Sequence, residues 1–330
     1  MYPDNKPYYS LNQYYREQFG GKVYKLSLNG GMTCPNRDGT IDNRGCIFCS
    51  AGGSGDFAGT AMVYSDILHR NIPDIPAQLS YAKSRVRAKI NPDKFAGYIA
   101  YFQAYTNTYA EVPYLEQLFL QVLEHDDILG LSVGTRPDCL EPEKVSLLAS
   151  LNRCKPVYVE LGLQTIHEKS ALFIRRGYPL SVFEDALLRL KAAGLPVIVH
   201  VILGLPGETH ADMLSTCRYL AKLGVDGIKL QLLHVLKGTD LADIYTSRKC
   251  DDDFHIMTLG EYAALVVSII EQLPTDMVIH RITGDGPKPL LLAPTWSADK
   301  KKVLNTIMKE FVMKNTWQGK KYGNWRINPI

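Results

Sequence analysis

Cys34, Cys46 and Cys49 stand in a glycine-rich stretch, residues 30–50, with the spacing Cys-x11-Cys-x2-Cys. A closed zinc site or a closed cubane cluster takes four donors, and this stretch offers three thiols, so one metal position is left open. Glycines on either side, Gly45 and Gly53 among them, let the backbone bend around a bulky inorganic core. Phe48, between the paired cysteines, is placed to shield the site from water or to meet a ligand's ring. A zinc knuckle would need a fourth ligand. The nearest downstream candidate, His69, lies twenty residues past Cys49 with no partner at zinc-finger spacing. A disulfide with one odd thiol fits poorly, because no signal peptide precedes the stretch and the chain reads as cytosolic.

The elements that must hold this loop follow from length and pattern. The chain has 330 residues, 46% of them apolar, enough to bury a large core. The other cysteines, Cys139, Cys154, Cys217 and Cys250, are scattered and read as small core or loop residues. No apolar run reaches the roughly eighteen residues that span a bilayer, so a cytoplasmic protein without a membrane partner is expected. The net charge of +3 is unevenly spread. Lys300, Lys301, Lys302, Lys309, Lys314, Lys320, Lys321 and Arg326 face only Asp299 and Glu310 in the tail. Trp296, Phe311, Trp317, Tyr322 and Trp325 are interleaved with them. That mixture suits phosphate contacts by Lys300 and Lys301 and base stacking on Trp317, and it suits docking of the tail on the body equally.

A tyrosine-rich helix is expected within residues 1–20, ahead of a strand at 23–28 that runs straight into the cysteine loop. A helix is read over 72–90. Strands at 96–102, 128–133, 157–163, 197–203 and 227–233 then alternate with helices at 114–124, 142–151, 181–193 and 211–223. This is the rhythm of right-handed βαβ crossovers in a parallel sheet, with the chemistry at the carboxyl ends of the strands. A further helix at 259–273 and a seventh strand at 277–282 are placed beyond the barrel. Glu160, Gly162 and Gln164 share one strand face, and a buried carboxylate there requires a ligand or a basic neighbour. His200 is the only polar residue in its strand, either a satisfied core histidine or a site residue. Lys237, in Lys237-Gly238-Thr239, is a phosphate contact or an exposed loop lysine.

The cysteine trio, Thr135-Arg136-Pro137-Asp138, Val159-Glu160-Leu161-Gly162-Leu163-Gln164-Thr165, Arg175-Arg176-Gly177 and Gly204-Leu205-Pro206-Gly207-Glu208 occur in an order that resembles the radical S-adenosylmethionine (SAM) superfamily. The long first spacer is similar to that of the Elongator catalytic subunit branch and a related bacterial family. The resemblance chooses a partial (βα)6 TIM-like barrel over a flat doubly wound sheet, with an extension at 1–21, a core at 22–290 and a basic aromatic extension at 291–330. It implies a [4Fe-4S] cluster on Cys34, Cys46 and Cys49 whose open iron chelates SAM. It further implies Gln103, Thr106 and Asn107 near the SAM amino group, Arg176 on its carboxylate, and Gly204 and Gly207 in the adenine-binding turn, although the usual Gly-Gly-Glu is absent at 103–108. A radical reaction on transfer RNA at the wobble uridine, with a flavodoxin or ferredoxin as reductant, is the implied activity. An acetyltransferase domain like that of the Elongator subunit is not expected within these residues. A small metabolite or a protein as substrate, and a cluster protein without turnover, remain open at this point.

Overall fold

The computed structural model describes residues 2–53, 55, 58–65, 70–247, 254–284 and 286–323. His69, Cys250, Trp325 and Arg326 fall outside them. Seven strands form one sheet: β1 (Lys22–Leu28), β2 (Phe95–Phe102), β3 (Ile128–Thr135), β4 (Val157–Gln164), β5 (Val197–Leu203), β6 (Gly227–Leu232) and β7 (Val278–Arg281). Neighbours follow chain order and every pair is parallel. The expected αβ rhythm and half-barrel are therefore present. The strand placed beyond the barrel joins it instead, with Val278 and Ile279 in register with Gly227 and Ile228.

Strand sequences such as Val-Ile-Val-His-Val-Ile-Leu in β5 are rich in β-branched residues, and the helices between strands cover the outer face. Helix Leu259–Ile270, almost wholly apolar, is sandwiched between this layer and the C-terminal helix Lys300–Met313. Its start is fixed by a capping box, Thr258 with Glu261. The helix expected at 72–90 is shorter, Ile75–Arg87. Pro73 and Pro76 confine its start and Asp74 caps it, while residues 70–73 pair antiparallel with Met62–Ser65, which periodicity did not signal.

The sheet is curled, and side chains two residues apart stack in layers inside it. At the amino-terminal end, Val23, Ile99, Tyr158 and Ile198 close around Tyr15 of helix Leu11–Phe19. That helix packs on both β1 and β7, and the Ile279 amide bonds to the Tyr9 carbonyl, so it bridges the strands at the two ends of the sheet. The next layer up holds Lys25, Tyr101, Ser132, Glu160, His200 and Lys229. The end opposite the Tyr15 plug receives the cysteine loop.

The two ends of the chain meet at Gln318. Its Oε1 accepts from the Tyr9 amide (2.8 Å), and its Nε2 donates to the Pro274 and Met277 carbonyls (2.6 and 2.8 Å). Gln318→Ala would strand one buried and two half-buried backbone groups, so it should lower unfolding stability by about 2–4 kcal/mol in urea titration. A loss under about 0.5 kcal/mol would mean that this junction does not hold the plug.

Candidate active site

The loop after β1 is tied down at several points. The Cys49 amide donates to the Cys46 carbonyl (3.0 Å) and the Arg37 amide to the Cys34 carbonyl (2.8 Å), so each end of the motif is a closed turn. Arg37 Nη2 spans to the Cys49 and Ser50 carbonyls (2.8 and 2.7 Å). Asn36 Nδ2 reaches the Arg175 carbonyl (2.7 Å) and the Cys46 sulfur (3.5 Å), fastening the loop to the turn after β4. Tyr105 donates its hydroxyl to the Ala51 carbonyl (2.7 Å), and its ring fills the space where a Cβ at Gly53 would stand.

Cys34, Cys46 and Cys49 all line one cavity of about 200 Å³ at the carboxyl ends of the strands, together with Phe48 and Gln103. None of the three is in a disulfide. Burial, and then the nearby Cys49, push the Cys46 thiol up to about 12. Among the described residues no three His, Cys, Asp or Glu side chains converge on a single ion. Three thiols spread around a shared cavity fit a bulky cluster better than a lone metal.

Beneath lies an ionic layer. Glu160 is fully buried. Its Oε1 accepts from Lys25 Nζ (2.6 Å) and Ser132 Oγ (2.6 Å), and its Oε2 pairs with His200 Nε2 (2.7 Å) and Lys229 Nζ. Burial opposes its charge, but Lys229, Lys25 and the His200 hydrogen bond outweigh it and hold the carboxyl well below the usual range. Burial, reinforced by the Lys229 charge, pushes His200 down to about 4. Burial pulls Lys229 down to about 7 against the attraction of Glu160. The Tyr101 ring stands 4.4 Å from Lys229 Nζ and 4.8 Å from Lys25 Nζ, a cation–π contact to each.

The expected site residues divide. Phe48, Gln103, Thr106, Glu160, Gln164, Arg176 and His200 line the cavity with the cysteines. Gln164 adopts φ 66° at a register shift between β4 and β5, and Gly162 leaves space for its side chain. A non-glycine residue held in that region is characteristic of functional sites. Asn107 does not line the cavity: its amide and Nδ2 both donate to the Gly134 carbonyl (3.1 and 2.8 Å), anchoring the loop after β2 on the end of β3. Arg176, expected as a clamp on a ligand carboxylate, is committed to the protein. It donates to the Tyr178, Leu163 and Thr165 carbonyls and to Glu168, because the turn after β4 presents those groups to a guanidinium already buried there. Arg136 and Asp138 form a bidentate pair across Pro137 (2.9 and 2.6 Å).

Gly204 and Gly207 both have positive φ, 92° and 78°, which the turn requires, but neither lines the cavity. Lys237, Lys300, Lys301 and Trp317 also lie outside it. Trp296, Phe311 and Tyr322 pack on the core, so tail docking accounts for these three rings. Lys25, Tyr101, Ser132, Lys229 and Arg281 were not anticipated. A lone lysine amid apolar strand residues, as in Gly-Ile-Lys-Leu-Gln-Leu, was the signal available.

The class is that of a curled parallel half-barrel which gathers three thiols in one cavity at the carboxyl ends of its strands. Residues 43–220 match the Radical SAM superfamily and residues 225–313 the Radical_SAM C-terminal domain, and the chain belongs to this family. It is 44% identical to the uncharacterized protein YtqA of Bacillus subtilis over 96% of this chain and 92% of that one. It is 26% identical to Elongator complex protein 3 of Schizosaccharomyces pombe over 49% of this chain and 29% of that protein. The structure of Elp3 from the archaeon Methanocaldococcus infernus, N-terminally truncated, shares the fold, with a TM-score of 0.64 and 16% identity, over 93% of this chain and 68% of that one. The chain is a radical SAM enzyme of Elongator-like type, with a [4Fe-4S] cluster and SAM as cofactors. No helix among the described residues is long and apolar enough to cross a membrane.

The ionic layer predicts a pH dependence. Between about pH 6.5 and about pH 4 the unfolded chain carries a proton on His200 that the folded chain lacks, so stability is lost as pH falls through that window. Glu160 acts in the same sense, its contribution vanishing as pH drops through its depressed value. Urea titrations of the apoprotein should show His200→Gln removing up to about 3 kcal/mol of the pH 7 to pH 4 difference. An unaltered pH profile would contradict a buried neutral imidazole.

Proposed function

We propose that the chain carries out a radical reaction on transfer RNA, at a carbon of the wobble uridine. When bound, the cluster and SAM supply a 5′-deoxyadenosyl radical that takes hydrogen from an unreactive carbon. The protein's part is placement. Cys34, Cys46 and Cys49 would hold the cluster, Gln103, Thr106 and Gln164 offer polar groups to its ligand, and Phe48 limits water. The observation that carries the substrate class is a continuous path from the cluster cavity to basic surface. Phe48, Gln103 and Arg281 are shared with a second cavity, which in turn shares Gly286 and Pro287 with a depression whose charged rim is Lys288, Asp299 and Lys300. The Lys237 amide donates to the Leu290 carbonyl (2.7 Å), so a further lysine stands by this rim. The likeness to the Elongator protein supports the same reading. A cytoplasmic setting with reduced flavodoxin or ferredoxin as electron donor belongs to the proposal.

The use of Trp296, Phe311 and Tyr322 in docking favours a second reading, a small metabolite or protein substrate. The two separate in one experiment: nucleoside mass spectrometry of transfer RNA from cells with and without the protein should show one modified uridine changed. Lys300→Glu with Lys301→Glu should lower the slope of log affinity for transfer RNA against log salt by about 2. Alanine at any of the three cysteines should abolish both reconstituted cluster absorbance and 5′-deoxyadenosine formation. Unchanged nucleosides with intact deoxyadenosine formation would transfer support to the second reading.

A further inference from the structure

Four arginines line the cluster cavity: Arg37, Arg136, Arg176 and Arg281. Three are spent on the protein itself, on carbonyls or on Asp138 and Glu168. Arg281 differs. It is half-buried at the end of β7, in register with Lys229, and its guanidinium makes no hydrogen bond or ion pair with the described residues. It lies where the cluster cavity opens into the second cavity, and that second cavity is also lined by Lys25, Lys89 and His234. Among the described residues the only carboxylate lining either space is Glu160, whose two oxygens already hold Lys25, Ser132, His200 and Lys229.

We infer that Arg281 anchors an anionic group of the substrate, a carboxylate or a phosphate, at the junction of the two cavities. A half-buried guanidinium with no counter-charge among the described residues, and with lysines in the same wall, gains from an oxyanion that neutralises it. Its planar fork of N–H donors matches two oxygens of such a group. Arg281 stands on the last strand of the open sheet. The segments that the family resemblance assigns to SAM follow β2, β4 and β5, so the anion belongs to the substrate rather than to the cofactor. The inference rests on the proposed reaction only in that a substrate enters this mouth of the barrel.

Phenylglyoxal modification of Arg281 in the full-length reconstituted protein, followed by peptide mass spectrometry at constant ionic strength, tests it. Inorganic phosphate or acetate should slow modification of Arg281 saturably, while the arginines engaged by the protein stay slow throughout. Stronger protection by phosphate assigns the group as a phosphate, stronger protection by acetate as a carboxylate. The protecting anion should also raise the melting temperature of the wild type above that in chloride. Arg281→Gln should weaken this effect by at least about tenfold, and Arg281→Lys should retain part of it. Equal modification with and without either anion overturns the inference, as does the same thermal response in Arg281→Gln. Full protection by SAM alone also overturns it, because the anchor would then serve the cofactor. No transfer RNA enters this experiment. Unchanged cellular nucleosides would therefore sink the proposed substrate and leave the anchor standing, whereas absent protection beside altered nucleosides would sink only the anchor.

Discussion

One buried carboxylate organises the interior of the barrel. Glu160 on β4 gathers Lys25 from β1, Ser132 from β3, His200 from β5 and Lys229 from β6. Strands that are not neighbours in the sheet can meet at a single carboxyl only if the sheet curls around it. The arrangement is costly in desolvation, and it is tolerable because both oxygens are fully used. A hydrophobic layer at this level would pack as well, but it would not place a fixed array of charge directly under the cavity that the cysteines face.

The layers on either side of this ionic floor have different tasks. Below it, Tyr15 and its apolar neighbours seal the barrel, and the junction at Gln318 holds the N-terminal segment to the C-terminal one. Above it, the cysteine loop is pinned to the turn after β4 by Asn36 and to the loop after β2 by Tyr105. The thiols are thus positioned by contacts from several strand ends, as is usual where a (βα) scaffold builds a site from loops. The neutral imidazole of His200 and the weakened ammonium of Lys229 follow from the same burial that keeps water out.

Electrostatics also separates the two cavities by role. In the first, Arg37, Arg136 and Arg176 bond to carbonyls and carboxylates of the loops that surround the cysteines and stiffen them. The second is lined by Lys25, Lys89, His234 and Arg281 and by no carboxylate among the described residues. The site therefore grades from a sulfur-lined end to a cationic one, an order that suits a substrate entering from the basic side.

The sequence by itself determined the spacing of the three thiols, the αβ rhythm and the polar face of β4. Thiol spacing is a local property, and strand and helix periods are written residue by residue. It also required that Glu160 have a basic neighbour, but it could not say which one. Lys25 and Lys229 are 204 positions apart, and only the curl of the sheet brings both to one carboxyl. Tertiary structure likewise decided that Arg176 serves the turn after β4, that Asn107 anchors a loop, that the seventh strand joins the barrel and that Arg281 is left without a partner among the described residues. Each of those outcomes depends on which distant backbone groups reach a side chain first, and that competition is settled in space rather than along the chain.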